Sequence, residues 1–598
     1  MRKLRVMFLV LASMLAGTTG VYAASATKMA PRPGVIRVKL QPEVARTVGV
    51  KPRVRANGKL SVGITPLDRA ASTAKAVSIR PMLPYSERFA AQRAKYGLDR
   101  WYVVEFDESV SPDDARKIFG STAGVEVSEA IVPMSLKEGT GGFTAVTRPP
   151  MKATAADYRF NDPRLPEQWH YQNFGNIGTA VKGADINLFE AWNTTTGSSD
   201  VIVAIIDGGI DYLHEDLAAN MWVNEAELNG KPGEDNDNNG YVGDIYGYNF
   251  CTNSGDIYPH SHGTHVAGTV SAVNNNGIGV AGVAGGDGTP GTGVRLMSFD
   301  SRSGSGDGDF AAALTYACEN GATIAQCSWG WDGDGYYEQA VLDAIDYFTN
   351  EAKSPNMTGG LCIFAAGNTG LEGEYYPGAY EPVVAVASMT NELLPASYST
   401  RGSWVDVTAP GGLLDYASSA GVLSTLPNNT YGFNEGTSMA TPHVSGIAAL
   451  ILSKYGSPTF INESLRTQLI TSVNDFYGYA DNESVRGKFG SGYIDAAKAL
   501  ALSDGSAPEP VGEYTIDAAQ DYIVINWTIP ASNDNNVHHH IIYYSKEPFT
   551  ADSDLSKLST SVADTKFYNS GDAVQHEIRN LNPLTKYYVA IQAVNRWG

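Results

Sequence analysis

A serine hydroxyl attacks a carbonyl efficiently only when a base takes its proton and an acid holds that base in line. Three stretches of this chain carry residue types suited to those roles. The first, Gly436-Thr437-Ser438-Met439-Ala440-Thr441-Pro442-His443, opens the apolar run Val444 to Leu452. That run reads as a buried helix, so Ser438 falls in a first turn whose backbone N–H groups have no partner within the helix. Such donors can hold the oxyanion that attack creates, although the same stretch also fits a plain N-cap serine. In the second, Asp207 ends the apolar run Val201 to Ile206, and Gly208-Gly209 let the chain turn sharply behind it. The third, His262-Gly263-Thr264-His265-Val266-Ala267-Gly268, runs into a helix. An imidazole at a helix N-terminus is favoured as the neutral base, and a carboxylate partner stabilises the imidazolium formed during attack.

Other chemistries compete for these residues. Gly436-Thr437-Ser438-Met439-Ala440 is a degraded match to the G-x-S-x-G elbow of an α/β-hydrolase, whose order is serine, acid, histidine. Here the acid and the histidine both precede the serine, so that reading fails. His260, His262 and His265 have metal-like spacing. No acidic general-base motif accompanies them, and the triad already accounts for His262. His538-His539-His540 reads as a polar strand start rather than a zinc site.

The elements that must position these groups follow from the hydropathy pattern. From Asp157 to Ala501, apolar runs at Val201 to Ile206, Val294 to Phe299, Ala322 to Cys327, Leu361 to Ala366 and Val383 to Ala387 alternate with helical periodicity, as in Ala340, Val341, Ala344, Ile345 and Phe348. This predicts an α/β fold, a mostly parallel sheet with helices on both faces. Sites in such sheets gather at the carboxyl ends of strands. That singles out Asp207, Ser328-Trp329-Gly330 and Asn368, each the first polar element after its run. Ahead of this region, a strand at Trp101 to Phe106, a helix started by Ser111-Pro112-Asp113-Asp114 and a strand at Val125 to Ile131 predict a small β-α-β module at about 100–135. Val35 to Leu40 reads as a further strand, and Gly139 to Ala156 has the composition of a linker. After Ser506 the pattern is all-β.

The 598 residues, 43% apolar and 18% charged, suit about four domains with real cores. A net charge of -21 argues against a nucleic-acid partner. Arg2, Lys3 and Arg5, the apolar Val6 to Ala16 and Val21-Tyr22-Ala23 read as a cleaved secretory signal over residues 1–23. Neither that run nor a later one is long enough to span a bilayer. The expected protein is exported, has no membrane span, and is a monomer by default. Cys251, Cys318, Cys327 and Cys362 allow three full pairings, and the placement of Cys327 and Cys362 in apolar runs favours free thiols.

The blocks D-x-G-x-D at Asp207, H-G-T-H-V-A-G at His262 and G-T-S-M-A-T-P-H at Ser438 occur in that order and resemble the signature blocks of the subtilisin-like serine peptidases, the subtilases, over roughly Asn161 to Ala501. The resemblance implies a secreted serine endopeptidase in which Asp207 orients, His262 is the base, Ser438 is the nucleophile, and Asn368 donates to the oxyanion. It implies a self-processed zymogen whose N-terminal propeptide acts as an intramolecular inhibitor, protein or peptide substrates, and no organic cofactor. Where the family usually has Ser, this chain has Gly208. Gly304-Ser305-Gly306 and Ser328-Trp329-Gly330 match the two edge segments that hold an extended peptide, with Trp329 bulkier than the aliphatic residue expected there. Tyr375 falls where the family shapes the P1 pocket, implying a bias toward smaller or non-basic P1 side chains.

Calcium is the expected ion. Asp235, Asp237 and Asn239 space oxygen ligands like the first half of an EF-hand loop, but Tyr246 stands where the closing Glu belongs, and Asp244 is available as a further ligand. By the resemblance, Asp216 and Asn275 match the side-chain ligands of a second calcium site, with Gln168 or Asp162 to complete it. After Ser506, Leu581-Asn582-Pro583-Leu584-Thr585-Lys586-Tyr587 with Trp527 upstream resembles a fibronectin type III sandwich, incomplete at residue 598. The expected organisation is a signal at 1–23, a small α+β propeptide and linker at 24–156, a peptidase domain at 157–505, and an all-β sandwich at 508–598. The rival reading is a catalytically silent binding or adhesion protein on a peptidase scaffold, which would predict a broken triad.

Overall fold

A computed structural model of the chain describes residues 30–48, 53–54, 60–136, 142–150, 158–303, 306–415, 417–501, 508–530, 537–550, 553, 555–565 and 571–595. The expected signal at 1–23, the ends of the 139–156 linker, and Gly304 and Ser305 lie outside those residues.

The N-terminal part is an antiparallel sheet of β1 (Val35–Leu40), β2 (Ala76–Pro81), β3 (Trp101–Phe106) and β4 (Val125–Ala130), in the order β2-β3-β1-β4. Helix α1 (Pro112–Gly120) connects β3 to β4, with Ser111 capping Asp114 N at 3.1 Å and Pro112 at the first turn. The β-α-β reading of 100–135 supplies two strands that are not neighbours. β1 lies between them and pairs with both. Two short segments follow: β5 (Ser135–Leu136) and β6 (Thr144–Ala145).

The central region begins with β7 (Ile202–Asp207) and β8 (Gly247–Asn249), followed by α2 (Ser261–Ser271), β9 (Arg295–Asp300) and α3 (Phe310–Glu319). Next come β10 (Ile324–Cys327), β11 (Trp329–Gly330), α4 (Gln339–Glu351), β12 (Leu361–Ala365), β13 (Val384–Met389) and β14 (Val407–Pro410). A hairpin, β15 (Val422–Leu426) and β16 (Thr430–Asn434), precedes α5 (Thr437–Tyr455), and β17 (Val473–Asn474) and β18 (Tyr493–Ile494) close the region. The nine-stranded sheet has the order β8-β9-β7-β10-β12-β13-β14-β18-β17 and is parallel except for its last pair.

Alternation along each strand explains the layering. Val203, Ile205, Ile324, Leu361, Ile363, Val384 and Val386 pack with α2 and α5 on one face. Ile202, Ala204, Ile206, Ala325, Cys327, Cys362 and Phe364 pack with α3 and α4 on the other. β7 lies between β9, which follows it on one side, and β10, which continues the sheet on the other. The carboxyl end of β7 is therefore a switch point, and Asp207 sits on it.

Among the described residues, six C-terminal strands form two antiparallel sheets: β19 (Tyr514–Ala518), β20 (Ile523–Thr528) and β23 (Ala573–Ile578) in one, and β22 (Ser559–Asp564), β21 (Val537–Ser545) and β24 (Tyr588–Asn595) in the other. Trp527, Ile525, Ile542 and Leu581 fill the core between them. His540 is buried there with Nδ1 3.0 Å from Thr565 Oγ1, a core residue of the sandwich. The four cysteines are free thiols, and three of them are buried. Among the described residues, no helix is long and apolar enough to cross a membrane.

Candidate active site

Asp207 is held at the end of β7 with no solvent exposure, and its Oδ1 accepts from Gly208 N and lies 2.7 Å from His262 Nδ1. His262 stands in the first turn of α2, which lands on the end of β7 because Gly263 has no side chain. A Cβ there would lie 1.6 Å from Gly208 O. The departure at Gly208 has a local cause of the same kind. A Cβ at 208 would lie 2.6–2.9 Å from the His260 side chain, and that imidazole caps α2 by accepting from His262 N at 3.1 Å. Gly208 and His260 are thus a matched pair, which sequence reading missed because neither residue alone signals the other.

The three histidines of this segment have separate fates, which leaves no common metal. His260 caps, His262 meets Asp207, and His265 places Nε2 3.1 Å from the carbonyls of Val422 and Gly432, its imidazole pushed down to about 3 by burial and so neutral.

Ser438 lies in the first turn of α5, fully buried at the packed junction with α2. In the turn, Thr437 N donates to Asn368 Oδ1 at 3.0 Å, and Met439 N and Ala440 N donate to Gly436 O. Ser438 N is the donor those bonds leave over. The hydroxyl of Ser438 donates to Ser328 O at 3.0 Å, and Ser328 Oγ donates to Ser438 O at 2.9 Å. This reciprocal clasp has a reason in the helix: four residues on, Pro442 has no N–H to give Ser438 O. In this structure the Ser438 hydroxyl is thus directed at Ser328 O.

Asn368 follows β12 and a glycine at φ +118°, Gly367. Its Oδ1 accepts from both Thr437 N and Thr437 Oγ1, at 3.0 and 2.8 Å, which fixes the amide orientation because an N–H can only donate. Nδ2 therefore faces the other way, sealed from solvent and with no hydrogen-bond partner among the described residues. A buried amide donor left open beside Ser438 fits a group that bonds only when negative charge develops on a substrate oxygen.

The edge segment Ser328-Trp329-Gly330 is occupied by the chain itself. β5 pairs antiparallel with β11, Leu136 opposite Trp329 and Ser135 opposite Gly330. Ser135 Oγ reaches Asp332 Oδ2 at 2.8 Å, Arg302 Nη1 donates to Met134 O, and Trp331 Nε1 donates to Val132 O at 3.2 Å. The Trp329 side chain points away from this groove. It is fully buried against Phe310 and Phe364, with its indole N–H on Ile206 O at 2.8 Å, the residue before Asp207. Its bulk therefore props the strand end rather than lining the cleft. Of Gly304-Ser305-Gly306, only Gly306 is among the described residues, in a short hairpin with residues 302–303. Tyr375 is 6% exposed, and its ring lies against Gly373.

The acidic loop rearranges the expected ligand set. Asp235 accepts from Asn239 N and Gly240 N, and Asn239 Oδ1 accepts from Tyr241 N, bonds that shape the turn. Asp237 instead converges with Asp244 and Glu227, whose carboxylate oxygens lie within 4.8 Å of one another. Burial raises the carboxyls of Asp237 and Asp244, the latter up to about 6. Glu227 comes from a helix upstream, Glu225–Asn229, and loop spacing carries no sign of it.

At the second place, Asp216 accepts from Asn276 Nδ2 at 2.7 Å and from Val280 N at 2.9 Å. The Asn275 side chain turns instead to Asn161 N and Asp287 O, so Asn276 replaces Asn275 as the partner of Asp216. Three consecutive asparagines made the register unreadable from sequence. Gln168 spends both ends of its amide on Ala281. Asp162 is 2% exposed, its Oδ1 has no hydrogen-bond partner among the described residues, and burial pushes Asp162 up to about 6 and Asp216 up to about 8. Two buried carboxyls displaced upward, one with an open oxygen, form a donor set that suits a hard cation.

Comparison with known proteins gives a consistent picture. The Peptidase S8 subtilase family matches residues 198–492. The thermophilic serine proteinase of Bacillus sp. (strain AK1) is 32% identical over 362 residues, 59% of this chain and 77% of that protein. Halolysin of Haloferax mediterranei is 31% identical over 414 residues, 68% of this chain and 65% of its own. The extracellular basic protease of Dichelobacter nodosus is 32% identical over 383 residues, 58% of this chain and 57% of its own. The chain thus spans under two thirds of the last two. The crystal structure of fervidolysin from Fervidobacterium pennivorans, a keratinolytic enzyme related to subtilisin, shares the fold at a TM-score of 0.51 and 18% identity, over 95% of this chain and 70% of that one.

Proposed function

Since this chain belongs to the subtilase family of serine endopeptidases, we propose that it is an exported, self-processed peptidase in which Asp207, His262 and Ser438 form the catalytic triad. The observation that carries this reading is the buried Asp207–His262 contact of 2.7 Å beside the helix turn that bears Ser438. Ser438 Oγ attacks the peptide carbonyl as its proton passes to His262 Nε2. Asp207 holds the ring and balances its charge, while Asn368 Nδ2 and Ser438 N receive the oxyanion. Collapse expels the amine, which leaves with the proton from His262, and water repeats the sequence on the ester. Chelation would also weaken a calcium-dependent peptidase, so the decisive assay is covalent: a fluorophosphonate should label the wild-type chain and not Ser438→Ala, which should also accumulate unprocessed. Equal labelling of both chains would refute the assignment.

The N-terminal sheet is read as the propeptide, with the signal at 1–23 removed, propeptide and linker at 24–156, the peptidase at 157–505 and a fibronectin type III-like sandwich at 508–598. The pairing of β5, the segment that follows this sheet, along β11 is what a bound inhibitor strand would do. Buried ion pairs support stable docking, Lys39 to Asp343 and Arg93 to Glu319, both at 2.6 Å. Extracellular relatives support export. Calcium is read as held by Glu227, Asp237 and Asp244, and at a second place by Asp162 and Asp216, where it would supply rigidity rather than chemistry.

A further inference from the structure

We propose that Gln326 is a positioning residue, one that acts through Ser328 to hold the main chain of Ser438 in register with its base and its oxyanion donors. The proposal rests on the catalytic reading of Ser438 given above. Gln326 is fully buried in β10, a central strand, with Ile205 and Ile363 as its neighbours across the sheet. An amide persists in such a place only when its polar atoms are paired. Here the pairing is directional. Ser445 Oγ donates to Gln326 Oε1 at 2.9 Å, and Gln326 Nε2 donates to Ser328 Oγ at 2.7 Å. Ser328 Oγ then donates to Ser438 O at 2.9 Å.

The order is set from the carbonyl end: Ser438 O can only accept, so Ser328 gives it its hydrogen, Ser328 Oγ accepts from the amide nitrogen, and the amide oxygen is left facing Ser445, whose hydroxyl donates to it. The single hydroxyl hydrogen of Ser328 is thereby committed to Ser438 O. That carbonyl needs the donor because Pro442 provides none. Ser438, Pro442 and Ser445 lie on one face of α5, so Gln326 clips two turns of the nucleophile's helix to the sheet. The clasp keeps the Ser438 backbone still while its hydroxyl leaves Ser328 O for His262. Residues that only filled space at 326 and 445 would not require this donor order.

Three substitutions in the full chain test the idea, with turnover expressed per titrated active site. Gln326→Met keeps length and removes both polar ends, and Gln326→Met with Ser445→Ala also removes the hydroxyl left behind, restoring apolar packing. Both should lower kcat about tenfold, the scale of one net hydrogen bond, with KM within about twofold and fluorophosphonate labelling of Ser438 slowed in parallel. Ser328→Ala should cost the same factor, and its effect should not multiply with that of Gln326→Met, because both act through one hydroxyl. Wild-type kcat in the Gln326→Met/Ser445→Ala chain, or effects that multiply, would overturn the proposal. Ser438→Ala is run alongside: if it still hydrolyses the peptide, the catalytic reading itself falls and takes this one with it.

Discussion

The two roles proposed for the Asn368 amide can be separated by substitution. Its Oδ1 takes two hydrogen bonds from Thr437, and its Nδ2 is the open donor. Asn368→Leu removes both functions. Loss of one oxyanion donor costs about 10²–10³ in kcat, or roughly 2.7–4 kcal/mol, a range measured on a residue of this kind in subtilisin. Loss of the Thr437 bonds removes two net hydrogen bonds from the first turn of α5, about 2 kcal/mol of stability. Asn368→Asp keeps the acceptor oxygens and hence the stability, but it turns a carboxylate oxygen toward the place where the oxyanion forms. Its kcat should therefore fall below that of Asn368→Leu, with stability nearer the wild type. The assay is kcat on a soluble peptide, normalised by active-site titration, beside urea unfolding of the same chains. Turnover by Asn368→Asp within tenfold of wild type would refute the assignment of Nδ2. Equal destabilisation of the two variants would refute the role given to Oδ1.

Three further outcomes follow from the packing. Gly208→Ser, the residue usual in the family, drives a Cβ into His260 and should cost about 1–3 kcal/mol, read as a fall in Tm; an unchanged Tm would mean His260 moves freely. On the proposed calcium sites, a chelator should lower Tm by about 5–10 °C, and Asp216→Asn should shrink that shift; an unchanged Tm would refute them. Glu129 of β4 accepts from Gln339 N and Ala340 N at the start of α4, beside Arg37, Glu338, Asp309 and Tyr336. Burial first, and then Glu338, raise its carboxyl above the usual 4.5 when docked. Docking of the N-terminal sheet is therefore firmest below that value and weakens as pH rises through the raised one. Glu129→Gln keeps an acceptor oxygen for Gln339 N, gives up the longer bond from Ala340 N and removes the titrating group, so it should flatten the pH dependence of undocking, measured by limited proteolysis of the Ser438→Ala chain. A slope equal to wild type would place the titration elsewhere.

The sheet and the candidate triad were legible because each is written locally. A strand buried on both faces must be apolar along its whole length, and a polar residue at its carboxyl end must be there for a purpose. Val201 to Ile206 followed by Asp207 states both facts in seven letters. The N-terminal sheet was half legible: β3, α1 and β4 announce themselves, but β1 pairs between partners some 65 and 90 residues away, and pairing at that range leaves no mark on its own segment.

What sequence could not give was mutual fit. Glu227 joins Asp237 and Asp244 from another element, Asn276 rather than Asn275 meets Asp216, and Trp329 buries its ring under Asp207 instead of lining the cleft. Each depends on which way a side chain leaves the backbone, a choice made by neighbours distant in sequence. The pair Gly208 and His260 shows the rule most directly. The glycine looks like a lost serine until the imidazole that fills its Cβ space is seen, and then the two residues read as a single substitution that keeps α2 capped and His262 against Asp207.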